Sequence, residues 1–223
     1  MSRINIGVVV MIALLAATLT AADKADEGWV ALFDGQTMKG WTSMTGGPVA
    51  EAWTVKGDTL VHQPGKKGGD IITEKTYENF ELAWEWMIPK KDGNNGIKYR
   101  VQPGSGGAIG PEFQMMADGD KADRHSTGGL YDLLPPQNKP KVEPGAWQQS
   151  RVLVKGDHAE HWLNGVKTLE YTFGSDAWKA AREKSKFKNN ARYGYPAKGH
   201  IALTSHGDEA QFRNIRIREL AAE

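Results

Sequence analysis

The sequence predicts an all-β protein. Three observations carry that expectation: about eleven short runs of strand-forming residues lie at close spacing, turn residues (Gly, Pro, Asn, Asp) separate them, and little else competes. The 223 residues include 26 glycines and 8 tryptophans, a mix that suits a turn-rich sandwich or barrel with an aromatic-lined surface.

In chain order, Val30–Phe33 is followed by the turn pair Asp34-Gly35. Trp53–Val55 and Thr59–His62 flank Lys56-Gly57-Asp58, a hairpin signal. Phe80–Ile88, Gly96–Val101, Pro111–Met116, Ser150–Lys155, Glu160–Leu163, Val166–Thr172, Ile201–Thr204 and Ala210–Arg218 complete the strand set. Asn164-Gly165, between two of these runs, is the strongest two-residue hairpin signal in the chain. One helix is expected over Ala177–Phe187, capped by Ser175 or Asp176, with Trp178, Ala181 and Arg182 on one face. Lys184, Lys186 and Lys188 fall near its C-terminal end, where they complement the macrodipole as a solvated basic face. Two long loops, Pro103–Gly110 and Ala117–Gly129, are candidates to carry function on a rigid scaffold. Prolines 135, 136, 140 and 144 stiffen a third.

Residues 1–22 read as an address. Arg3 supplies a short positive region, Ile6–Leu19 an apolar run, and Thr20, Ala21 and Ala22 the small residues that suit cleavage before Asp23. The run is shorter than the roughly 20 residues that span a bilayer. The expectation is a cleaved export signal and a mature domain over 23–223, located in the periplasm or outside the cell. With no repeat, low-complexity tract or linker, one domain is expected.

The chain carries 28 Lys and Arg against 27 Asp and Glu. Arg3 is the only charge in residues 1–22, so the chain after cleavage holds 27 of each sign. That balance argues against nucleic-acid binding and against an anionic membrane as partner. The absence of cysteine excludes a disulfide framework, a thiol nucleophile and a Cys-ligated metal.

Period-two alternation sorts the side chains. On Gly96–Val101, Ile97, Tyr99 and Val101 fall on one side, Lys98 and Arg100 on the other. On Pro111–Met116, Phe113 and Met115 oppose Glu112 and Gln114. On Ser150–Lys155, Val152 and Val154 oppose Arg151 and Lys155. If these strands are neighbours, Arg100, Glu112, Gln114, Arg151 and Lys155 line one outer surface, and planar polar groups of this kind hold sugar hydroxyls. Glu81 and Glu85 share a strand side, but Ala83 stands where a glucanase of the Glu-x-Asp-x-x-Glu type has its Asp, and Glu112 has Gln114 rather than a carboxylate two residues on. A two-carboxylate glycosidase therefore lacks a local pair. Among the histidines, His158 and His161 fall on opposite sides of a strand, and His206 lies in a Ser205-His206-Gly207-Asp208 turn. Nucleophile-elbow, phosphate-loop and dinucleotide signatures are missing.

Taken together, the motifs resemble one family. They are Leu32-Phe33-Asp34-Gly35 with Gly40-Trp41; Gly93-Asn94-Asn95-Gly96-Ile97-Lys98-Tyr99-Arg100; Gly110-Pro111-Glu112-Phe113-Gln114; Thr127-Gly128-Gly129-Leu130-Tyr131; Pro144-Gly145-Ala146-Trp147; His161-Trp162-Leu163-Asn164-Gly165; Gly199-His200-Ile201-Ala202-Leu203 with His206-Gly207; and Phe212-Arg213-Asn214-Ile215-Arg216-Ile217. This set is similar to the 3-keto-disaccharide hydrolase domain family over about Trp29–Leu220. Asn95 replaces the usual Ser, Gln148 the usual Asn after Trp, and Thr204 the usual Gln before the His-Gly turn.

The resemblance implies a concanavalin A-like jelly-roll β-sandwich with one short helix, its site on a concave face. It also implies secreted carbohydrate catabolism and a small saccharide substrate whose glucose C3 hydroxyl a separate sugar 3-dehydrogenase has oxidised. A C3 ketone acidifies the C2 hydrogen, so the bond at C1 can break by β-elimination, with water adding afterwards for net hydrolysis. Such a reaction needs one base, one acid and a cation or hydrogen-bond donors at the enolate, and a divalent cation is one way to fill the last role. The expected base is His206 or His161, and Glu112 is an acid/base or a metal ligand. Arg100, Gln114 and Lys155 would bind sugar oxygens or the enolate, and Tyr131 and Asn95 would shape the pocket. The rival reading is a non-catalytic sugar-binding module with Trp41, Trp53 and Trp147 as stacking platforms.

Overall fold

The computed structural model describes residues 27–103 and 107–222. The expected export signal therefore lies outside the described residues. The strands are β1 (Trp29–Ala31), β2 (Trp41–Ser43), β3 (Trp53–Lys56), β4 (Thr59–His62), β5 (Ile71–Thr73), β6 (Phe80–Met87) and β7 (Asn94–Val101). They continue as β8 (Glu112–Met116), β9 (Gln148–Lys155), β10 (His158–Leu163), β11 (Val166–Thr172), β12 (His200–Leu203) and β13 (Ala210–Glu219), with, among the described residues, one helix, α1 (Asp176–Glu183). All eleven expected strands form, and two three-residue strands, β2 and β5, join them.

Two antiparallel sheets face each other as a jelly-roll sandwich of the expected concanavalin A-like class. The eight-stranded sheet runs β11-β10-β9-β6-β13-β4-β3, with β1 also paired to β13; the five-stranded sheet runs β2-β5-β12-β7-β8. The core fills the space between them. On the smaller sheet Ile71, Leu203, Ile97 and Phe113 form one cross-strand row, each fully buried. On the larger sheet Leu82, Trp84, Val152 and Val154 point inward, and Trp84 meets Phe113 edge-on with ring centroids 5.0 Å apart. Truncating any of these aromatic residues to alanine would cost about 3–5 kcal/mol.

The residues opposite that inner row define the outer face of the small sheet. Register places Thr42, Ile72, Ala202, Lys98 and Glu112 in one row across all five strands. Gly96 and Gln114 sit side by side on the same face, one pleat further along β7 and β8.

Helix α1 begins where capping predicts: the Ser175 hydroxyl accepts from the Trp178 N–H, and Trp178 is buried. It ends at Glu183, so Lys184, Lys186 and Lys188 lie beyond it. The segment that follows is tied to the loop between β8 and β9. The Asp132 carboxylate accepts from the Lys186 backbone N–H at 2.8 Å and contacts His125 Nε2 at 3.0 Å and Arg124 at 3.3 Å.

Candidate active site

Glu112 stands at the start of β8, beside Lys98 of β7. Lys98 Nζ lies 3.7 Å from Glu112 Oε2 and 3.9 Å from Asp70 Oδ2, so one ammonium bridges two carboxylates on the outer face of the small sheet. Asp70 is locked by backbone donors: its Oδ1 accepts from Ser205 N at 2.8 Å and its Oδ2 from Ala108 N at 3.1 Å. Those bonds fix the carboxylate and also pin the turn that carries His206.

That turn is fastened from below. His62, 1% exposed, donates through Nδ1 to the Asp208 carbonyl at 3.0 Å and accepts at Nε2 from the Ser205 hydroxyl at 2.9 Å. The Asp208 carboxylate accepts from Lys90 at 2.7 Å and from the Asn94 N–H at 3.2 Å. His206 is half-buried between these anchors.

The electrostatics show that Glu112 and His206 share one environment. Burial pushes the Glu112 carboxyl above its ordinary value of 4.5, opposed by the charges of Lys98 and Lys186. Burial, with the same two lysines, pushes the His206 imidazole below its ordinary 6.5. Lys186 Nζ sits 4.3 Å from the Tyr131 ring centroid, so Tyr131 and Lys186 form one wall. Gln114, 1% exposed, donates from Nε2 to Asn94 Oδ1 at 2.8 Å on the same face.

Four expected site residues therefore meet here: Glu112, His206, Gln114 and Tyr131. Four do not. His161 is fully buried between the sheets, where Nε2 bonds the Tyr99 hydroxyl at 2.7 Å and Nδ1 faces the Gly128 carbonyl at 3.3 Å. Burial pushes its imidazole down to about 4. Arg100 was expected beside Lys98, but a bulge intervenes. Between the pairs His200 with Val101 and Ala202 with Lys98, β7 has one residue more than β12, and Arg100 takes φ 51°. Val101 moves to the outer face, where it packs with Ile72, Ala108 and Ala202. The Arg100 guanidinium turns inward, lies 3.8 Å from the Phe173 ring centroid, and donates to the Gly156 and Gly194 carbonyls.

Asn95 also points inward, paired in register with Met115 and fully buried; its Oδ1 accepts from Gly96 N at 2.9 Å and from the Thr204 hydroxyl at 3.3 Å. Lys155 belongs to β9, in the other sheet, so the expected continuous surface from Arg100 through Lys155 does not exist. Of the stacking platforms, Trp41 and Trp53 are each 4% exposed and donate their indole N–H to the Leu32 and Gly69 carbonyls, while Trp147 lies against Arg213 of the larger sheet.

Sequence reasoning missed Asp70 and Lys186 as members of the site. Asp70 precedes a three-residue strand too short to recognise, and Lys186 looked like one of three solvated lysines. The donors on this face are a poor fit for a divalent cation, because Lys98 stands between the two carboxylates that would hold it. Among the described residues, three ligand-type side chains come within reach of one point at His158, Glu160 and Glu170, on the larger sheet, where Lys167 already contacts both glutamates.

Comparison with known proteins agrees with this architecture. A curated relative, the 3-keto-disaccharide hydrolase of Bacteroides thetaiotaomicron, is 28% identical, the alignment covering 87% of this chain and 79% of the relative. Two crystal structures of candidate glycosyl hydrolases from Parabacteroides distasonis superpose on it. One has TM-score 0.78 at 33% identity, covering 92% of this chain and 99% of that one; the other has 0.63 at 25%, covering 86% and 99%. The matched region of the family, residues 28–218, runs from before β1 to the penultimate residue of β13 and contains every side chain of the site just described, and on that match the chain belongs to the 3-keto-alpha-glucoside-1,2-lyase-like domain family.

Proposed function

We propose that the protein cleaves the glycosidic bond of 3-keto-glycosides by C2 proton abstraction and β-elimination, with water addition completing a net hydrolysis. The observation that carries this reading is the sharing of one face by His206, Glu112 and Lys98, with the first two shifted in opposite directions. Neutral His206 takes the C2 proton. The Lys98 ammonium stabilises the enolate oxygen that develops at C3. Protonated Glu112 delivers its proton to the departing C1 oxygen. The C1–C2 double bond of the resulting enone then accepts water, hydroxyl at C1 and hydrogen at C2, which leaves the 3-keto sugar and the free aglycone. Gln114 and Asn94 face the substrate hydroxyls, and Tyr131 with Lys186 bounds the aglycone side.

The ordinary values of the two groups, 4.5 and 6.5, would leave almost no pH at which the carboxyl is protonated and the imidazole neutral. Both shifts open that window, which supports the assignment of acid and base. The export expected from residues 1–22 would put this chemistry outside the cytoplasm, downstream of a sugar 3-dehydrogenase that supplies the ketone. The test is incubation of a 3-keto-glucoside in D2O with mass and NMR readout at C2. Deuterium at C2 of the released sugar is expected; complete retention of the C2 proton through turnover would remove the elimination route.

A further inference from the structure

The outer face of the eight-stranded sheet, turned away from Glu112, carries a groove of about 710 Å³. Its origin is legible in the register. Ala31, Arg216, Ala83, Arg151 and Trp162 form one row across β1, β13, β6, β9 and β10. Two methyl groups alternate with three of the longest side chains, so the row is notched at Ala83 and Ala31. Glu85 and Gln149, paired one pleat along, form the next row and close one wall with Asn214.

The chemistry of the walls selects a ligand class. The Trp162 indole lines the groove, braced by the Arg151 guanidinium 4.4 Å from the ring centroid. Planar groups surround the apolar floor: an exposed carboxamide on Gln149, another on Asn214, and the Glu85 carboxylate. The charged side chains of the walls are already engaged within the protein: Arg151 pairs with Glu81, Arg216 lies 4.9 Å from the Trp29 ring centroid, and Glu85 accepts from Arg213 Nε at 2.8 Å and Asn214 Nδ2 at 2.9 Å. An anionic group seated on Arg151, or a cationic one on Glu85, would have to break those pairs. A neutral ring with one C–H face and a rim of hydroxyls meets every wall without doing so.

We propose that this groove is a second, non-catalytic saccharide site that holds neutral sugars with intact hydroxyls. It does not depend on the reading of the Glu112 face. It would keep the protein on a glycan while the opposite face handles the oxidised unit.

The experiment titrates the mature chain with maltose, cellobiose and sophorose, read by saturation-transfer NMR and tryptophan fluorescence. At least one disaccharide is expected to bind with half-saturation below about 5 mM. Ala83→Phe, which fills the notch, should weaken that binding at least about tenfold and leave turnover of a 3-keto-glucoside within about twofold. Gln149→Ala, at an exposed position that does not threaten folding, should weaken it severalfold. Glu112→Gln should leave it intact while removing turnover. Absence of binding for all three sugars up to about 20 mM overturns the proposal. So does binding that survives both groove variants and is lost in Gln114→Ala, which would place the sugar on the catalytic face.

Discussion

Glu112 folds its carboxylate back over Gly96. A β-carbon on Gly96 would collide with Glu112 Oε1 and stand 2.8 Å from both Cγ and Cδ, so the glycine is the seat in which the acid rests. Its backbone carries no positive φ, so Gly96→Ala is conformationally permitted and the expected harm is local. The variant should fold, with a melting temperature within a few degrees of the parent, while kcat falls by about 10²-fold as the acid is displaced from the leaving group. Circular dichroism and steady-state kinetics separate the two effects. Retention of full kcat would show that the position of Glu112 over Gly96 is immaterial.

On the proposed roles, the opposite shifts of Glu112 and His206 predict a bell-shaped pH profile with assigned limbs. His206 must be neutral, so activity is lost as pH falls through its lowered value, on the acid side of 6.5. Glu112 must be protonated, so activity is lost as pH rises through its raised value, on the basic side of 4.5. In kcat/KM, Glu112→Gln should lower the rate by about 10²–10⁴ and flatten the basic limb. His206→Asn should lower it comparably and flatten the acid limb. Exchange of the two limbs between the variants would reverse the roles of acid and base.

Lys98 stands between Asp70 and Glu112, and in the proposed reaction it faces the enolate. Lys98→Met removes the only ammonium that, among the described residues, lies within 4 Å of both carboxylates. The expected result is a fall in kcat of about 10²–10³ with a smaller change in KM, because the charge it opposes develops on the way to the transition state. It should also raise the pH at which Glu112 releases its proton, since Lys98 is the largest influence holding that value down. A variant altered in KM alone would assign Lys98 to ground-state binding.

Legibility in the sequence followed how local each cause was. The strands were readable because alternation and turn pairs such as Asn164-Gly165 are short-range signals. The outer placement of Glu112 and Gln114 followed from the same alternation. Arg100 broke the rule because the bulge depends on its partner strand: a β-carbon on Gly199 of the adjoining segment would stand 2.7 Å from Arg100 Cα, and no local pattern in β7 reveals that approach. Lys155 failed for another non-local reason, since alternation assigns a side of a strand but not the sheet to which the strand belongs. His161 carried a motif and proved to be core, where three aromatic rings, Tyr99, Phe113 and Tyr171, surround it. The two departures Asn95 and Thr204 turn out to be partners, so one replacement accommodates the other beneath the site.

The buried His161 predicts how the fold responds to acid. Its imidazole titrates near 6.5 when exposed in the unfolded chain and is pushed down to about 4 by burial in the folded one. Between those values the unfolded state binds a proton that the folded state refuses, so stability is fully present above pH 6.5 and falls as pH drops toward 4. The loss reaches about 3 kcal/mol at the low end. His161→Phe removes that proton and keeps an aromatic ring in the cluster; Tyr99 retains its bond to the Tyr171 hydroxyl. At pH 7.5 the variant should be less stable by about 1–3 kcal/mol, the cost of a lost buried hydrogen bond. Its stability should then decline less steeply than the parent's as pH falls, so that the two urea-denaturation curves converge near pH 4. Parallel decline of the two proteins across that range would show that other groups, and not His161, govern acid unfolding.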